Sequence, residues 1–193
     1  MTSLLTWYVD SVYLVAPSRS LTCHCKLGEH DPSQPKLTTG DLKIDSFFAI
    51  QAGSDTTAGV ATFLIYYLLS HPESYERLQA ELDEAFPEPD APLNLQTLNR
   101  LPFLAAVCDE TLRLGTPFGG ASRIVPQDGH VLDDVFVPGS TVVAVPPWTV
   151  QTDPDNVWPE PEKFRPQRWL PGGLGPGSKL VKQAMVYFSY GQS

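Results

Sequence analysis

From residue 39 onward the apolar positions fall into runs whose spacing separates helix from strand. Between Asp41 and Ser70 the run DLKIDSFFAIQAGSDTTAGVATFLIYYLLS is apolar with few interruptions and predicts one long helix, capped by Thr39 or Asp41 and ended by His71 and Pro72. At 1.5 Å per residue it spans on the order of 45 Å, which makes it the expected buried centre of a domain. A second helix, PESYERLQAELDEAF, places Tyr75, Leu78, Leu82 and Phe86 at spacings of three and four, a narrow stripe that packs on one side. PEPDAP reads as a loop, LNLQTLNRL as a short helix, and Pro102 opens a third strong helix, FLAAVCDETLRL.

Beyond Gly115 the period changes. RIVP, HVLDDVFV and TVVAV are β-branched runs that predict short strands in one or two hairpins around the turn of Pro138 and Gly139. From Pro146 on, prolines break the chain into a long irregular loop, of a length that inside a compact domain is usually functional. The resulting fold class is mainly α with small β-hairpins. Residues 18–40 are polar with Pro32 and Pro35, so residues 1–40 are expected to form an arm, possibly disordered, ahead of a domain over residues 41–193.

Composition narrows the function. With 42% apolar residues in a chain of 193 the protein can build a sizeable core, and a formal charge of −9 argues against nucleic acid as a partner. The sign is uneven, because residues 163–193 carry Lys163, Arg165, Arg168, Lys179 and Lys182 and no acid. Cys23, His24, Cys25 and His30 lack a second pair at zinc-finger spacing, so no metal site is assigned to them, and three cysteines suit a reducing compartment. The opening LLTWYVDSVYLVA is interrupted by Asp10 and gives no transmembrane segment.

The middle of the long helix sets the chemical question. Ala52, Gly53, Ser54, Asp55, Thr56 and Thr57 place an acid and hydroxyls inside an apolar run of 23 residues from Phe47 to Leu69. A membrane span would carry a central Asp at a cost of about 2.5–3.5 kcal/mol. A plain core helix would instead turn its threonines back onto carbonyls four residues earlier, with Asp55 in a polar crevice. A third reading adds a large flat cofactor, since Ala52 and Gly53 let such a group approach the backbone where proton-carrying side chains are offered.

Further stations stand in order along the chain. Glu110 and Arg113 in ETLR are three apart on a mostly apolar helix, so the pair is expected to be buried, whereas Glu162 and Arg165 repeat the spacing in a polar loop. FRPQRW supplies Arg168, Arg123 opens a strand after TPFGGAS, and FSYG runs from Phe188 to Gly191. Together these segments resemble the C-terminal half of the cytochrome P450 monooxygenases: the small-Gly-x-acid-Thr motif of the oxygen-side helix, E-x-x-R, F-x-P-x-R-W, and the start of F-x-x-G-x-R-x-C. The likeness covers residues 38–191, and TDPDNVWPEPEKFRPQRWLP is its most specific stretch.

The resemblance implies a partial cytochrome P450 fold and the roles that go with it. Asp55 and Thr56 would be catalytic, relaying protons to oxygen. Ala52, Gly53, Arg123, Phe188 and Gly191 would contact haem b, with Arg123 on a propionate. Glu110, Arg113 and Arg168 would close a structural triad. The family's iron-ligand cysteine falls at position 195, past Ser193, and Ser193 itself stands where the loop usually has a basic residue. The chain is therefore expected to be a fragment, inactive alone, of an enzyme that inserts one oxygen atom of O2 into an apolar small molecule. Electrons would come from NADPH through a flavoprotein reductase, with the whole enzyme on the endoplasmic-reticulum membrane facing the cytosol and this chain alone soluble or aggregated in the cytoplasm. The alternative is a non-catalytic fragment acting as a binding module.

Overall fold

The computed structural model describes residues 38–88, 92–120 and 122–188. Of the arm expected over residues 1–40, residues 1–37 with the cysteine pair and the apolar opening lie outside the described residues, as does Gly191 in the FSYG segment, while Thr39 and Gly40 belong to the first helix. The chain divides into two units, Met1–Ala61 and Thr62–Ser193. Among the described residues the elements are helices α1 (Thr39–Ser70), α2 (Pro72–Ala85), α3 (Leu95–Leu98), α4 (Pro102–Leu114) and α5 (Pro147–Gln151). With them come three two-stranded antiparallel pairs and two short 3-10 turns, Pro166–Trp169 and Lys182–Ala184.

Helix α1 begins earlier than either expected cap. Thr38 and Asp41 form a reciprocal box in which the Thr38 N–H donates to Asp41 Oδ2 at 2.8 Å and the Asp41 N–H donates to Thr38 Oγ1 at 3.2 Å. Asp41 is thus the third helical residue, its carboxyl held below the usual carboxylate range first by the Thr38 hydroxyl. The expected burial of the middle of the helix is not observed: Phe47 and Phe48 are 68% and 71% exposed. Apolar residues surround this helix on all sides, a pattern that needs neighbours all round, and the described part of the first unit is essentially α1 alone.

In the second unit the core gathers around α4. Leu68 from the end of α1, Leu78 from α2, Leu98 from α3, and Phe103, Leu104, Val107 and Leu114 from α4 pack with Phe164 from the proline-rich loop. Phe164 stacks on Tyr67, ring centroids 4.7 Å apart and 5° from parallel, which ties that loop to the C-terminal turn of α1. Helix α4 starts at Pro102 as its sequence dictates, but its N-terminus has no capping side chain of its own. Glu81 of α2 supplies one, accepting from Phe103 N–H at 2.9 Å and Leu104 N–H at 2.8 Å, where the helix dipole favours a carboxylate.

The strands correct the sequence reading. β1 (Arg123–Ile124) pairs with β4 (Val142–Val143), β2 (His130–Leu132) with β3 (Val135–Val137), and β5 (Val157–Trp158) with β6 (Lys179–Leu180). The hairpin turn is Asp133 and Asp134, both at positive φ (47° and 63°), a conformation that Asp tolerates. Pro138 and Gly139 do begin a turn, closed from Thr141 N–H to Pro138 O, but it joins β3 to β4, which pair elsewhere. Gly139 is needed there for proximity, since a Cβ would lie 2.1 Å from Gln127 O.

Candidate functional site

The centre of the second unit is a buried ionic cluster. Glu110 and Arg113 lie one helical turn apart on the inner face of α4, both fully buried, and Arg168 reaches them from the 3-10 turn Pro166–Trp169. Glu110 accepts five hydrogen bonds. Its Oε1 takes Arg113 Nη2 at 2.8 Å, Arg168 Nε at 2.9 Å and the Arg165 backbone N–H at 2.9 Å. Its Oε2 takes Arg113 Nε at 2.8 Å and the Trp169 indole N–H at 2.9 Å.

Two guanidinium groups against one carboxylate leave a net positive charge in the interior, which needs further acceptors to be tolerable. The proline-rich loop provides them. Arg113 Nη1 donates to the carbonyls of Gln151 and Pro161, and its Nη2 also donates to Lys163 O at 3.2 Å. Arg168 donates to Pro159 O at 3.2 Å and Glu160 O at 3.0 Å. Every N–H of Arg113 is thereby used. A WPEPEK segment suits this because proline has a carbonyl but no N–H, so the loop has acceptors to spare. Burial draws the Arg168 guanidinium below its ordinary value, and Glu110 opposes that shift.

The second E-x-x-R behaves differently. Arg165 pairs with Glu160 at 3.0 Å rather than with Glu162, and both partners are partly exposed. The E-x-x-R spacing therefore gives a paired, buried cluster on α4, whereas in the polar loop Arg165 turns to a solvent-side partner outside the motif, with the flanking apolar residues deciding.

Sequence reasoning assigned no role to two members of the cluster. Gln151, fully buried, donates from Nε2 to Arg113 O at 2.9 Å and accepts at Oε1 from Val186 N–H at 3.0 Å. Trp169 was legible only as the neighbour of Arg168. Cys108, also on α4, is a poor candidate ligand: burial pushes its thiol up to about 11, away from the thiolate a metal needs.

The remaining expected site residues make no hydrogen bond or ion pair with this cluster among the described residues. Ala52, Gly53, Asp55 and Thr56 lie in the part of α1 that belongs to the first unit, all four exposed. The Thr56 hydroxyl donates to Ala52 O at 2.7 Å, the back-bond to the carbonyl four residues earlier. Open space faces Gly53, where a Cβ would meet nothing within 4 Å. Arg123, exposed in β1, donates from Nη1 to Ser122 O at 3.1 Å and makes no bond to the cluster. Phe188 is 80% exposed. Among the described residues no group of His, Cys, Asp and Glu is arranged to hold a metal ion, and no helix is long and apolar enough to cross a membrane.

Comparison with known proteins places these features. The family model described as Cytochrome P450 matches residues 17–192. Cytochrome P450 monooxygenase aneF of Aspergillus aculeatus is 39% identical over 145 residues, 75% of this chain and 28% of its own length. Cytochrome P450 monooxygenase hepC of Aspergillus oryzae is 33% identical over 86% of the chain and 33% of its own length. Cytochrome P450 3A12 of Canis lupus familiaris is 37% identical over 72% of the chain and 30% of its own length. The chain thus spans about a third or less of the curated relatives it matches.

Among solved structures, a zebra fish cytochrome P450 determined with progesterone superposes with a TM-score of 0.65 at 31% identity, covering 86% of this chain and 40% of that one. The haem domain of cytochrome P450DA, at 24% identity and a TM-score of 0.70 over 83% of this chain and 34% of that one, shows the same fold. The helix-rich architecture with small strand pairs is accordingly part of the cytochrome P450 fold. Matched along most of its length by the family's model and by named members at a third or more identity, the chain belongs to the cytochrome P450 family of haem-iron monooxygenases.

Proposed function

We propose that the protein carrying this chain inserts one oxygen atom of O2 into an apolar small molecule, and that the chain supplies the oxygen-side helix and the buried structural cluster of that enzyme. The observation that carries the reading is the Glu110, Arg113 and Arg168 cluster with its loop of carbonyl acceptors, set in a chain whose relatives are named monooxygenases.

The residues present fit the edge of a haem. Gly53 leaves space for a flat group, and Arg123, with only Nη1 on a protein carbonyl among the described residues, keeps donors for a propionate carboxylate. Ala52, Gly53, Arg123, Phe188 and Gly191 are the residues we assign to holding it. Haem, when bound through a cysteine thiolate, supplies the iron at which dioxygen is activated. Because the Thr56 proton is committed to Ala52 O, its oxygen is left to accept a hydrogen bond from a water. Asp55, exposed one residue earlier, takes a proton from solvent and passes it to that water, the work of a general acid and base at the helix centre.

Exposed Lys179 and Lys182 belong, in this reading, to the surface that meets a flavoprotein reductase delivering electrons from NADPH. The whole enzyme is assigned to the endoplasmic-reticulum membrane. One observation favours the second reading, a non-catalytic binding fragment: Phe47, Phe48 and Ile50 are an apolar surface that would associate with a partner if no further domain covers it. Reading the transcript beyond the codon for Ser193 separates the two. Continuation to a cysteine at position 195 is the expected result, and a stop codon directly after Ser193 would leave only the binding role.

A further inference from the structure

The buried cluster explains Glu110 and Arg113 but not the two polar side chains beside them that point to the C-terminal segment. Gln151 is completely buried and uses both ends of its amide, donating to Arg113 O and accepting from Val186 N–H, while its own carbonyl receives Arg113 Nη1. Arg113 O belongs to the last turn of α4, where carbonyls have no partner inside the helix. A glutamine amide is suited to this place because it offers a donor and an acceptor on one planar group. A glutamate of the same length would offer only acceptors, and a leucine neither.

One turn before Arg113, Asp109 makes a second link. The Tyr187 hydroxyl donates to Asp109 Oδ1 at 3.4 Å. Burial pushes that phenol up to about 12, so it remains a donor at any physiological pH. One link runs to a carbonyl in the last turn of α4 and the other to a side chain one turn earlier, so both tie the neighbouring residues Val186 and Tyr187 to that helix.

We infer that Gln151 and Asp109 are positioning residues that latch Val186 and Tyr187 onto α4 and so fix where the chain emerges at Phe188. The purpose of the latch rests on the reading proposed above, because Phe188 begins the segment that resembles the haem-binding loop. The latch itself does not, and it can be tested on this chain without haem. A single strand leading to a loop that must place a ligand within a fraction of an ångström needs its origin held by rigid elements, and a helix end with a buried amide is such an element.

The test is amide hydrogen exchange on the full chain at neutral pH, with Val107 and Thr111 of α4 as internal reference. Tyr187→Phe removes one hydroxyl and nothing else, and should lower protection of the Val186 amide, which donates to Gln151 Oε1, by about fivefold while the reference amides stay as they were. Gln151→Leu should expose the Val186 amide by a larger factor than Tyr187→Phe does. Unchanged protection of the Val186 amide in Tyr187→Phe would overturn the latch, and so would an equal loss at Val107 and Thr111, which would mark a general loss of stability. Intact latch behaviour in a protein that proves unable to bind haem would leave the latch standing and remove its proposed purpose.

Discussion

Glu110→Gln is expected to cause the largest loss of stability in the second unit. The carboxylate accepts five hydrogen bonds and is, among the described residues, the only anion paired with the two buried guanidinium groups. The amide keeps the shape of the side chain but turns an N–H toward donors and leaves both arginines without a counter-charge. Breaking a buried pair by removing one partner costs about 3–5 kcal/mol, against a total stability of about 5–15 kcal/mol for a domain. With a urea dependence of about 2 kcal/mol per molar, the unfolding midpoint should fall by roughly 2 M. Glu162→Gln, in the exposed repeat of the same motif, should leave the midpoint where it is. If the two variants unfold together, the buried cluster does not hold the unit.

The second large effect lies on α1 and concerns chemistry. In the full-length enzyme, Asp55→Asn should lower kcat by about 10²-fold, the lower end of what a positioned acid or base contributes, with KM little changed. Asp55 is exposed in the described structure, so loss of the charge should leave the unfolding midpoint unmoved. Such a split assigns the loss to proton delivery rather than to folding or substrate binding. A kcat within twofold of the parent enzyme would remove Asp55 from the mechanism and leave its position to the helix alone.

How much was legible in the sequence differs from element to element. Helix α4 was readable because Pro102 starts it, Gly115 follows it and its apolar residues recur at helical spacing, and that apolar setting was also what separated the buried Glu110 and Arg113 from the exposed Glu162 and Arg165. The partners were not readable. Glu81 capping α4, Gln151 bridging Arg113 to Val186 and Trp169 donating to Glu110 are contacts across 22 to 59 residues of chain, and no local spacing encodes them. The hairpin was misplaced for a physical reason: a Pro-Gly pair announces a turn but not which strands pair across it, whereas two aspartates can take the positive φ that the real hairpin turn requires.

The middle of α1 taught a different lesson. Its apolar run was read correctly as helix, yet its burial depends on neighbours that a helix hydrophobic on every side demands and that its own sequence cannot supply. Thr56 illustrates the same limit at atomic scale. Its back-bond to Ala52 is what a plain helix would show, and it is also what leaves the oxygen free to accept from water in the proposed mechanism.

The most direct measurement is the absorption spectrum of the full-length protein, reduced in the presence of carbon monoxide. The account predicts one haem per polypeptide with the strongly red-shifted Soret band of thiolate-ligated iron, lost when the cysteine expected at position 195 is replaced by serine. Absence of haem, or a band at the position given by imidazole ligation in the parent protein, would contradict it.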